Sequence, residues 1–184
     1  MTDYKILFLG APGAGKTALV KKFDTDTFDD EEYNQEYATT EVSAGSSKVP
    51  VKLCHNATVD NLSDSGVVGI VFVFDVTSQE SFDALAPIVA KMEEILPEAA
   101  AAMCANKVED DNADSRVVTF LGCKEIYAAK IPVFETSAKT GKNVKTVIQQ
   151  LGMLAGADIT PPEPEVTGNE SGGSAKSEVC CNLQ

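Results

Sequence analysis

Basic residues and histidines are scarce in this chain of 184 residues. Lys and Arg number 15 against 28 Asp and Glu, which gives a formal net charge of -13. General nucleic-acid binding and polybasic membrane anchoring both need an excess of basic side chains, so the composition argues against both. The one histidine, His55, leaves too few parts for a histidine-centred metal site or a Ser-His-Asp triad. We interpret it as a surface or loop residue.

Long apolar segments and regularly spaced cysteines are also absent. No apolar run approaches the ~20 residues of a membrane-spanning helix, and residues 1–5 lack the start of a signal peptide. The 5 cysteines show no framework spacing, which favours a reducing cytosol. We expect one folded domain over residues 1–157. Residues 158–184 are rich in Pro, Glu, Gly and Ser and are predicted to be a disordered tail.

A glycine-rich motif lies near the start of the chain, at Gly10–Thr17. Its residues, Gly-Ala-Pro-Gly-Ala-Gly-Lys-Thr, fit the pattern G-x-x-x-x-G-K-[ST]. The apolar run at 4–9 favours a buried strand before the motif, and residues 18–23 favour the first turns of a helix after it. Strand, glycine turn and helix is the context in which this pattern binds phosphate. We therefore predict a phosphate-binding loop; the alternative is a fortuitous glycine-rich turn.

The residue types within the motif suit phosphate chemistry. Gly13 and Gly15 let successive backbone N–H groups wrap around phosphate oxygens. The positive N-terminal end of the following helix adds to the attraction. Lys16 is predicted to reach the β- and γ-phosphates, and the Thr17 hydroxyl is predicted to bind Mg²⁺.

The rest of the chain alternates between strand and helix patterns. Strands are predicted at 3–9, 41–44, 48–54, 67–74, 99–105 and 131–136, helices at 15–25, 77–95, 113–129 and 142–154, a hairpin turn at 45–47 and a loop at 55–66. Residues 24–40 are acidic and aperiodic and predict a long mobile loop, and Pro87 predicts a kink. Alanines at 99–105 favour a helix by propensity, but the alternation favours a strand. The pattern predicts an α/β fold, a mostly parallel sheet with helices on both faces.

Two further motifs follow predicted strands and therefore belong to the same sheet edge as the phosphate loop. They are Asn106-Lys107-Val108-Glu109 and Glu135-Thr136-Ser137-Ala138-Lys139. A carboxylate at this edge can accept hydrogen bonds from guanine N1–H and from the exocyclic amine, which adenine does not offer together. Each motif alone is a weak signal, but their order and spacing make coincidence improbable.

With these motifs in this order, the chain resembles the Ras superfamily of small GTPases, and its Rab branch most closely. The resemblance covers about residues 4–155 and rests on Gly10–Thr17, Phe28, Phe74–Phe82, Asn106-Lys107 and Glu135–Gly141. It implies the P-loop NTPase fold of small G proteins, with GTP or GDP and Mg²⁺ as cofactors. It also implies effector proteins, an exchange factor and a role in membrane traffic or signalling.

The resemblance assigns roles to individual residues. Asn106 and Lys107 would hold and cover the guanine ring, Ala138 would donate its N–H to the guanine carbonyl, and Phe28 would pack edge-on against the base. Thr40 would close on Mg²⁺ and the γ-phosphate, with Thr39 as a rival. The predicted nucleotide-binding set is Gly13, Ala14, Gly15, Lys16, Thr17, Ala18, Phe28, Asn106, Lys107, Glu109, Ser137, Ala138 and Lys139, and the predicted metal ligands are Thr17 and Thr40.

Three departures from the family pattern qualify this interpretation. The D-x-x-G-Q motif is missing between Cys54 and Val67, where Asp60 or Asp64 could approach the metal but neither has the spacing of the motif. Because its glutamine orients the attacking water, we predict nucleotide binding with slow or absent hydrolysis, and we assign no catalytic residue. Glu109 replaces the aspartate of N-K-x-D, which predicts weaker guanine affinity unless the neighbouring Asp110 compensates. Pro12 removes one N–H from the loop and adds bulk where a partner's arginine would approach.

The chain ends with paired cysteines, Cys180 and Cys181. The last four residues fit C-a-a-X loosely, and two lipids would anchor the chain stably, so we expect lipidation and attachment to the cytosolic face of an internal or plasma membrane. We expect a monomer that does not bind nucleic acid. Two rival functions stay open: a pseudo-GTPase scaffold that does not cycle, and a P-loop ATPase or small-molecule kinase. The sequence disfavours the ATPase or kinase, because it contains Asn106-Lys107 and lacks a Walker B acid at a strand end.

Overall fold

The computed structural model describes residues 3–44, 46–58, 66–109, 114–127, 131–156 and 159. Its strands are β1 (Tyr4–Leu9), β2 (Tyr37–Ala44), β3 (Ser47–Cys54), β4 (Val67–Asp75), β5 (Ala100–Asn106) and β6 (Val133–Glu135). Its helices are α1 (Lys16–Thr25), α2 (Gln79–Asp83), α3 (Leu85–Ile95), α4 (Phe120–Tyr127) and α5 (Val144–Ala155). None of these helices is long and apolar enough to cross a lipid bilayer.

The strands form one sheet with the order β2-β3-β1-β4-β5-β6. Strand β2 pairs with β3 in the antiparallel sense, and the other neighbouring strands are parallel. Parallel strands need crossover connections: α2 and α3 connect β4 to β5, and α4 connects β5 to β6. The α/β fold with a mostly parallel sheet is therefore confirmed.

Helices cover both faces of the sheet. On one face, α1 and α5 bury residues such as Val20 and Leu151 against Ile6 and Phe8 of β1. On the other face, α2, α3 and α4 cover a second apolar cluster. Alternate residues of β1 enter the two clusters, because successive side chains of a strand point to opposite faces. Ile159, two residues past the predicted domain boundary, is also buried in the first cluster.

The alanine-rich segment is a strand, as the alternation predicted. Strand β5 lies between β4 and β6, with Val71 opposite Ala102 and Met103 opposite Val133. Its backbone hydrogen bonds on both sides, and the burial of Ala102 and Met103, override the helical propensity of alanine.

Strand β2 starts earlier than the sequence predicted. Residues 37–40, placed in the predicted loop, pair with the end of β3, from Tyr37 opposite Cys54 onward. The inward residues Ala38, Val42 and Ala44 are buried, but the polar Thr40 shares their face and interrupts the apolar alternation. Strand β2 is the edge strand, as predicted, and residues 26–36 are the remaining loop. Gly45 of the predicted hairpin turn lies outside the described residues.

Two helix boundaries also differ from the prediction. The helix predicted at 77–95 is divided at Ala84 into α2 and α3, and Pro87 falls in the first turn of α3. A proline is tolerated in a first turn because that N–H has no intrahelical partner. Helix α4 starts at Phe120, because the N–H groups of Val117 and Val118 both donate to the Val76 carbonyl at 3.0 Å.

Candidate nucleotide-binding site

The carboxyl ends of the parallel strands bring the predicted motifs to one edge. Strand β1 ends opposite Phe72 of β4, Asp75 at the end of β4 is opposite Asn106, and Ala105 is opposite Glu135. The segments that follow these strands therefore leave the sheet side by side. This edge is where open α/β sheets bind ligands.

The phosphate loop needs glycine at the positions where its backbone turns. Gly10 has φ 152° and Gly15 has φ 97°. A Cβ atom on Gly10 would lie 2.0 Å from the Val73 carbonyl oxygen, and one on Gly15 would lie 2.3 Å from Asn106 Nδ2. The loop is thus pressed against β4 and β5, which only residues without a side chain permit.

Lys16 turns its ammonium back toward the loop. Its Nζ donates to the carbonyl oxygens of Gly10 at 2.8 Å and Ala11 at 3.0 Å. Burial lowers the pKa of the Lys16 side chain, which marks an environment that favours pairing with an anion. The cation is thereby positioned at the mouth of the loop, next to the N-terminus of α1.

Asn106 joins the phosphate loop to the predicted base-binding motifs. Its Nδ2 donates to the Ala14 carbonyl at 2.9 Å, and its Oδ1 accepts from Thr136 Oγ1 at 3.4 Å. The side chain is only 1% exposed. One buried amide therefore links three loops, those after β1, β5 and β6.

Glu109 and Ser137 meet at the far side of the site. The Ser137 hydroxyl donates to Glu109 Oε1 at 2.6 Å and accepts from the Thr140 N–H at 3.0 Å. Both side chains are buried, and so is the neighbouring Ala138. The longer glutamate is therefore held in the position that the motif assigns to an aspartate, with its carboxylate fixed by a serine.

Lys107 pairs with Asp75 across the ends of β4 and β5. Lys107 has φ 67°, and its Nζ lies 2.6 Å from Asp75 Oδ2. Burial alone would raise the pKa of the Asp75 carboxyl, but hydrogen bonds from Lys107 and Thr77 outweigh it and hold the pKa below its usual value. The ammonium thus lies beside the predicted base site, directed toward β4.

The remaining predicted residues are less closely associated with this cluster. Phe28 is 52% exposed in the loop at 26–36, Ala18 is half-buried in α1, and Lys139 is exposed after β6. Asp60, Asp64, Asp110, Cys180 and Cys181 lie outside the described residues.

The structure does not place Thr40 at the phosphate loop, which corrects its assignment as a metal ligand. Thr40 lies within β2 opposite Val51, and Val51 is level with Tyr4, the first residue of β1. The phosphate loop follows the other end of β1, about 16 Å away along the strand direction. The rival Thr39, opposite Lys52, is similarly far from the loop. Motif spacing suggested the assignment, but the pairing of β2 with β3 determines the position.

Sequence reasoning missed His55, which is buried at the site rather than exposed in a loop. It is 3% exposed and follows β3 directly. Its Nδ1 lies 3.1 Å from Thr17 Oγ1, its Nε2 lies 3.0 Å from the Gln35 carbonyl oxygen, and its ring centroid is 5.4 Å from that of Tyr33. Its position directly after a strand could have predicted this location, because the same rule located Asn106.

The metal-binding capacity of this edge is limited. Within the described ranges, no group of three or more His, Cys, Asp or Glu side chains is arranged to hold a metal ion. Thr17 offers a hydroxyl oxygen, the donor type that Mg²⁺ prefers. A Mg²⁺ ion at Thr17 would therefore depend on phosphate oxygens and water for most of its ligands.

Comparison with known proteins identifies the family. The model of the Ras family matches residues 5–155. The chain belongs to the Ras family. This Ras-family chain is 30% identical to Ras-related protein Rab7 of Cenchrus ciliaris, over 98% of this chain and 97% of the relative. It is also 30% identical to Ras-related protein Rab-31 of Rattus norvegicus, over 92% of this chain and 90% of the relative. The resemblance to a Rab-like small GTPase is confirmed.

Proposed function

We propose that this Ras-family protein binds GTP and GDP at the carboxyl edge of its sheet. The observation that carries the proposal is the hydrogen bond from Asn106 to the Ala14 carbonyl. It fixes the phosphate loop relative to the base-binding motifs, so that both ends of one nucleotide are recognised together. The family implies guanine nucleotide binding with Mg²⁺ in general.

In this proposal, the phosphates bind in the loop at 10–17. Gly13 and Gly15 orient N–H groups toward the anion, and Lys16 exchanges its carbonyl contacts for phosphate oxygens. A bound Mg²⁺ ion would compensate part of the negative charge of the phosphates. Among the residues of this chain, Thr17 would contact the Mg²⁺ ion through its hydroxyl.

The base binds between the loops after β5 and β6. Glu109 accepts hydrogen bonds from guanine, and its contact with Ser137 supports this role because it restricts the longer side chain. Glu109 is nevertheless fixed one methylene further from its backbone than an aspartate. Guanine is therefore preferred over adenine, with weaker affinity than an N-K-x-D motif gives.

The nucleotide that copurifies with the full chain tests this function. The protein is purified without added nucleotide, denatured, and the released ligand is separated by ion-exchange chromatography. GDP or GTP supports the proposal. An adenine nucleotide would favour a P-loop ATPase or small-molecule kinase, and no nucleotide, with no binding on titration, would favour a pseudo-GTPase scaffold.

The Rab-named relatives support the cellular role that we propose. The protein acts in membrane traffic or signalling, as a monomer, through effectors that distinguish its loaded form and with an exchange factor. Lipids on Cys180 and Cys181 attach it to the cytosolic face of a membrane. Mass spectrometry of the protein from its own cells tests this attachment, and an unmodified C-terminus would contradict it.

A further inference from the structure

The proposed function gives no role to the contact between His55 and Thr17 at the phosphate loop. The Gln35 carbonyl oxygen can only accept, so a neutral His55 ring carries its hydrogen on Nε2. Its Nδ1 is then an acceptor, and the Thr17 hydroxyl donates to it at 3.1 Å. The ring therefore fixes the direction of the hydroxyl hydrogen and leaves both lone pairs of the Thr17 oxygen for other contacts.

His55 occupies a place where a P-loop protein needs an acid. In P-loop NTPases, Mg²⁺ is bound by the loop hydroxyl and by an acidic side chain from a neighbouring strand. Strands β3 and β4 both lie beside β1. The carboxylate at the end of β4, Asp75, is paired with Lys107 at 2.6 Å. On β3, Cys54 is opposite Leu7, and His55 is the next residue. The described residues that follow, Asn56, Ala57 and Thr58, contain no carboxylate. An imidazole, which carries no negative charge, thus stands beside the loop hydroxyl.

The replacement of an acidic side chain by His55 changes what attracts a divalent cation to the loop. A carboxylate would add a negative charge and two oxygen ligands close to the ion, and Mg²⁺ prefers oxygen over nitrogen. An imidazole that is satisfied by Thr17 and Gln35 adds neither. The attraction for the nucleotide itself, through Lys16 and the loop N–H groups, does not involve His55.

We propose that His55 is a positioning residue that orients Thr17 in place of a metal-binding acid, so that nucleotide affinity depends only weakly on Mg²⁺. This inference rests on the proposed nucleotide-binding function. Its chemical consequence is a site in which Lys16 and the loop amides provide most of the attraction for the phosphates, and removal of the ion releases little nucleotide.

The test compares His55→Asp with His55→Asn, two variants of nearly equal size that differ in charge. The dissociation rate of a fluorescent GDP analogue from the full chain is measured with Mg²⁺ and with excess EDTA. We expect EDTA to change the rate less than about threefold for the wild type and for H55N, and about tenfold or more for H55D. Thermal unfolding of the three proteins checks that each is folded.

Each outcome bears on the inference. A wild-type rate that rises about tenfold or more in EDTA would overturn it, even if H55D did not fold. Equal EDTA effects in folded H55D and H55N would overturn it as well, because the charge at this position would then be irrelevant. Failure of the wild type to bind the GDP analogue under either condition would refute the proposed function itself.

Discussion

The Asn106 amide donates to the Ala14 carbonyl at 2.9 Å and thereby joins two loops that are 92 residues apart in the chain. The contact is buried, so the amide and the carbonyl satisfy each other where water does not reach. This hydrogen bond connects the phosphate loop directly to the base-binding loop and restricts their relative orientation.

Asn106→Asp is expected to destabilise the fold and to weaken GDP binding, because a carboxylate of the same size cannot donate to the Ala14 carbonyl. A buried carbonyl without its donor costs about 1–3 kcal/mol. Urea unfolding measures the stability, and titration with a fluorescent GDP analogue measures the affinity. Thr39→Ala, on the exposed face of β2, is the control, and it is expected to leave both unchanged. Wild-type stability in N106D would show that the contact is dispensable.

Gly15→Ala and Gly13→Ala are expected to differ although both residues have positive φ, 97° and 78°. A Cβ atom on Gly15 would lie 2.3 Å from Asn106 Nδ2, whereas one on Gly13 would have no neighbour within 4 Å. We expect backbone strain alone, about 1 kcal/mol, for G13A. For G15A we expect about 1–3 kcal/mol more, because the Asn106 hydrogen bond is also lost. Equal costs in urea unfolding would contradict this difference.

Lys16→Met is expected to abolish phosphate binding without weakening the fold. Burial lowers the pKa of Lys16, so the folded state disfavours its charge at neutral pH, and an uncharged side chain of similar length removes that penalty. We expect GDP affinity to fall about 100-fold or more, from the loss of charge-assisted hydrogen bonds. Lys22→Met, which removes the ion pair with Asp26 at the C-terminal end of α1, should keep wild-type affinity. Tight GDP binding by K16M would place the phosphates elsewhere.

GTP hydrolysis is expected to be slower than about 10⁻⁴ s⁻¹ in a single turnover, below the intrinsic rate of Ras-type proteins. The segment between Cys54 and Val67 contains no glutamine to orient the attacking water. The protein is loaded with radiolabelled GTP, and bound nucleotide is extracted at each time, so that slow hydrolysis is distinguished from poor loading. An ordinary small-GTPase rate would show that another residue orients the water.

The site could be predicted from sequence where a motif specifies its own geometry. In Gly10–Thr17 and in the motif at Glu135–Lys139, the residue types themselves indicate the backbone conformation. The alternation of strands and helices then places both motifs at one edge of the sheet. The alanine-rich β5 was predictable for the same reason, because its neighbours required a strand. These features are local or follow from the connection rules of parallel sheets.

The errors came from long-range pairing. Thr40 matched a pattern, but the register of β2 against β3 carries it toward the opposite end of the sheet. His55 gave no periodic signal, and its burial depends on Tyr33 and Gln35, which come from a loop without regular structure. Register depends on turn geometry as well as on the hydrophobic pattern, and the packing of one loop against another leaves no periodic pattern in the sequence.

Lys107→Met is expected to destabilise the protein at pH 7, with a penalty that disappears in acid. Hydrogen bonds from Lys107 and Thr77 overcome the effect of burial and hold the pKa of Asp75 below its ordinary value of 3.8. A carboxyl with a lowered folded-state pKa contributes its full stability above the ordinary pKa. That contribution is lost as the pH falls through the folded-state pKa. The difference in unfolding free energy between the wild type and K107M should therefore shrink below about pH 4.

The control for this pH dependence is Lys91→Met, which removes an exposed ion pair with Glu94 on α3. Such surface pairs contribute less than about 1 kcal/mol, so K91M should follow the wild type across the range. Urea unfolding of all three proteins between pH 3 and pH 7 measures the differences. A K107M penalty that stayed constant down to pH 3 would mean that the Lys107 side chain stabilises the fold by packing, and that its charge pair with Asp75 contributes nothing.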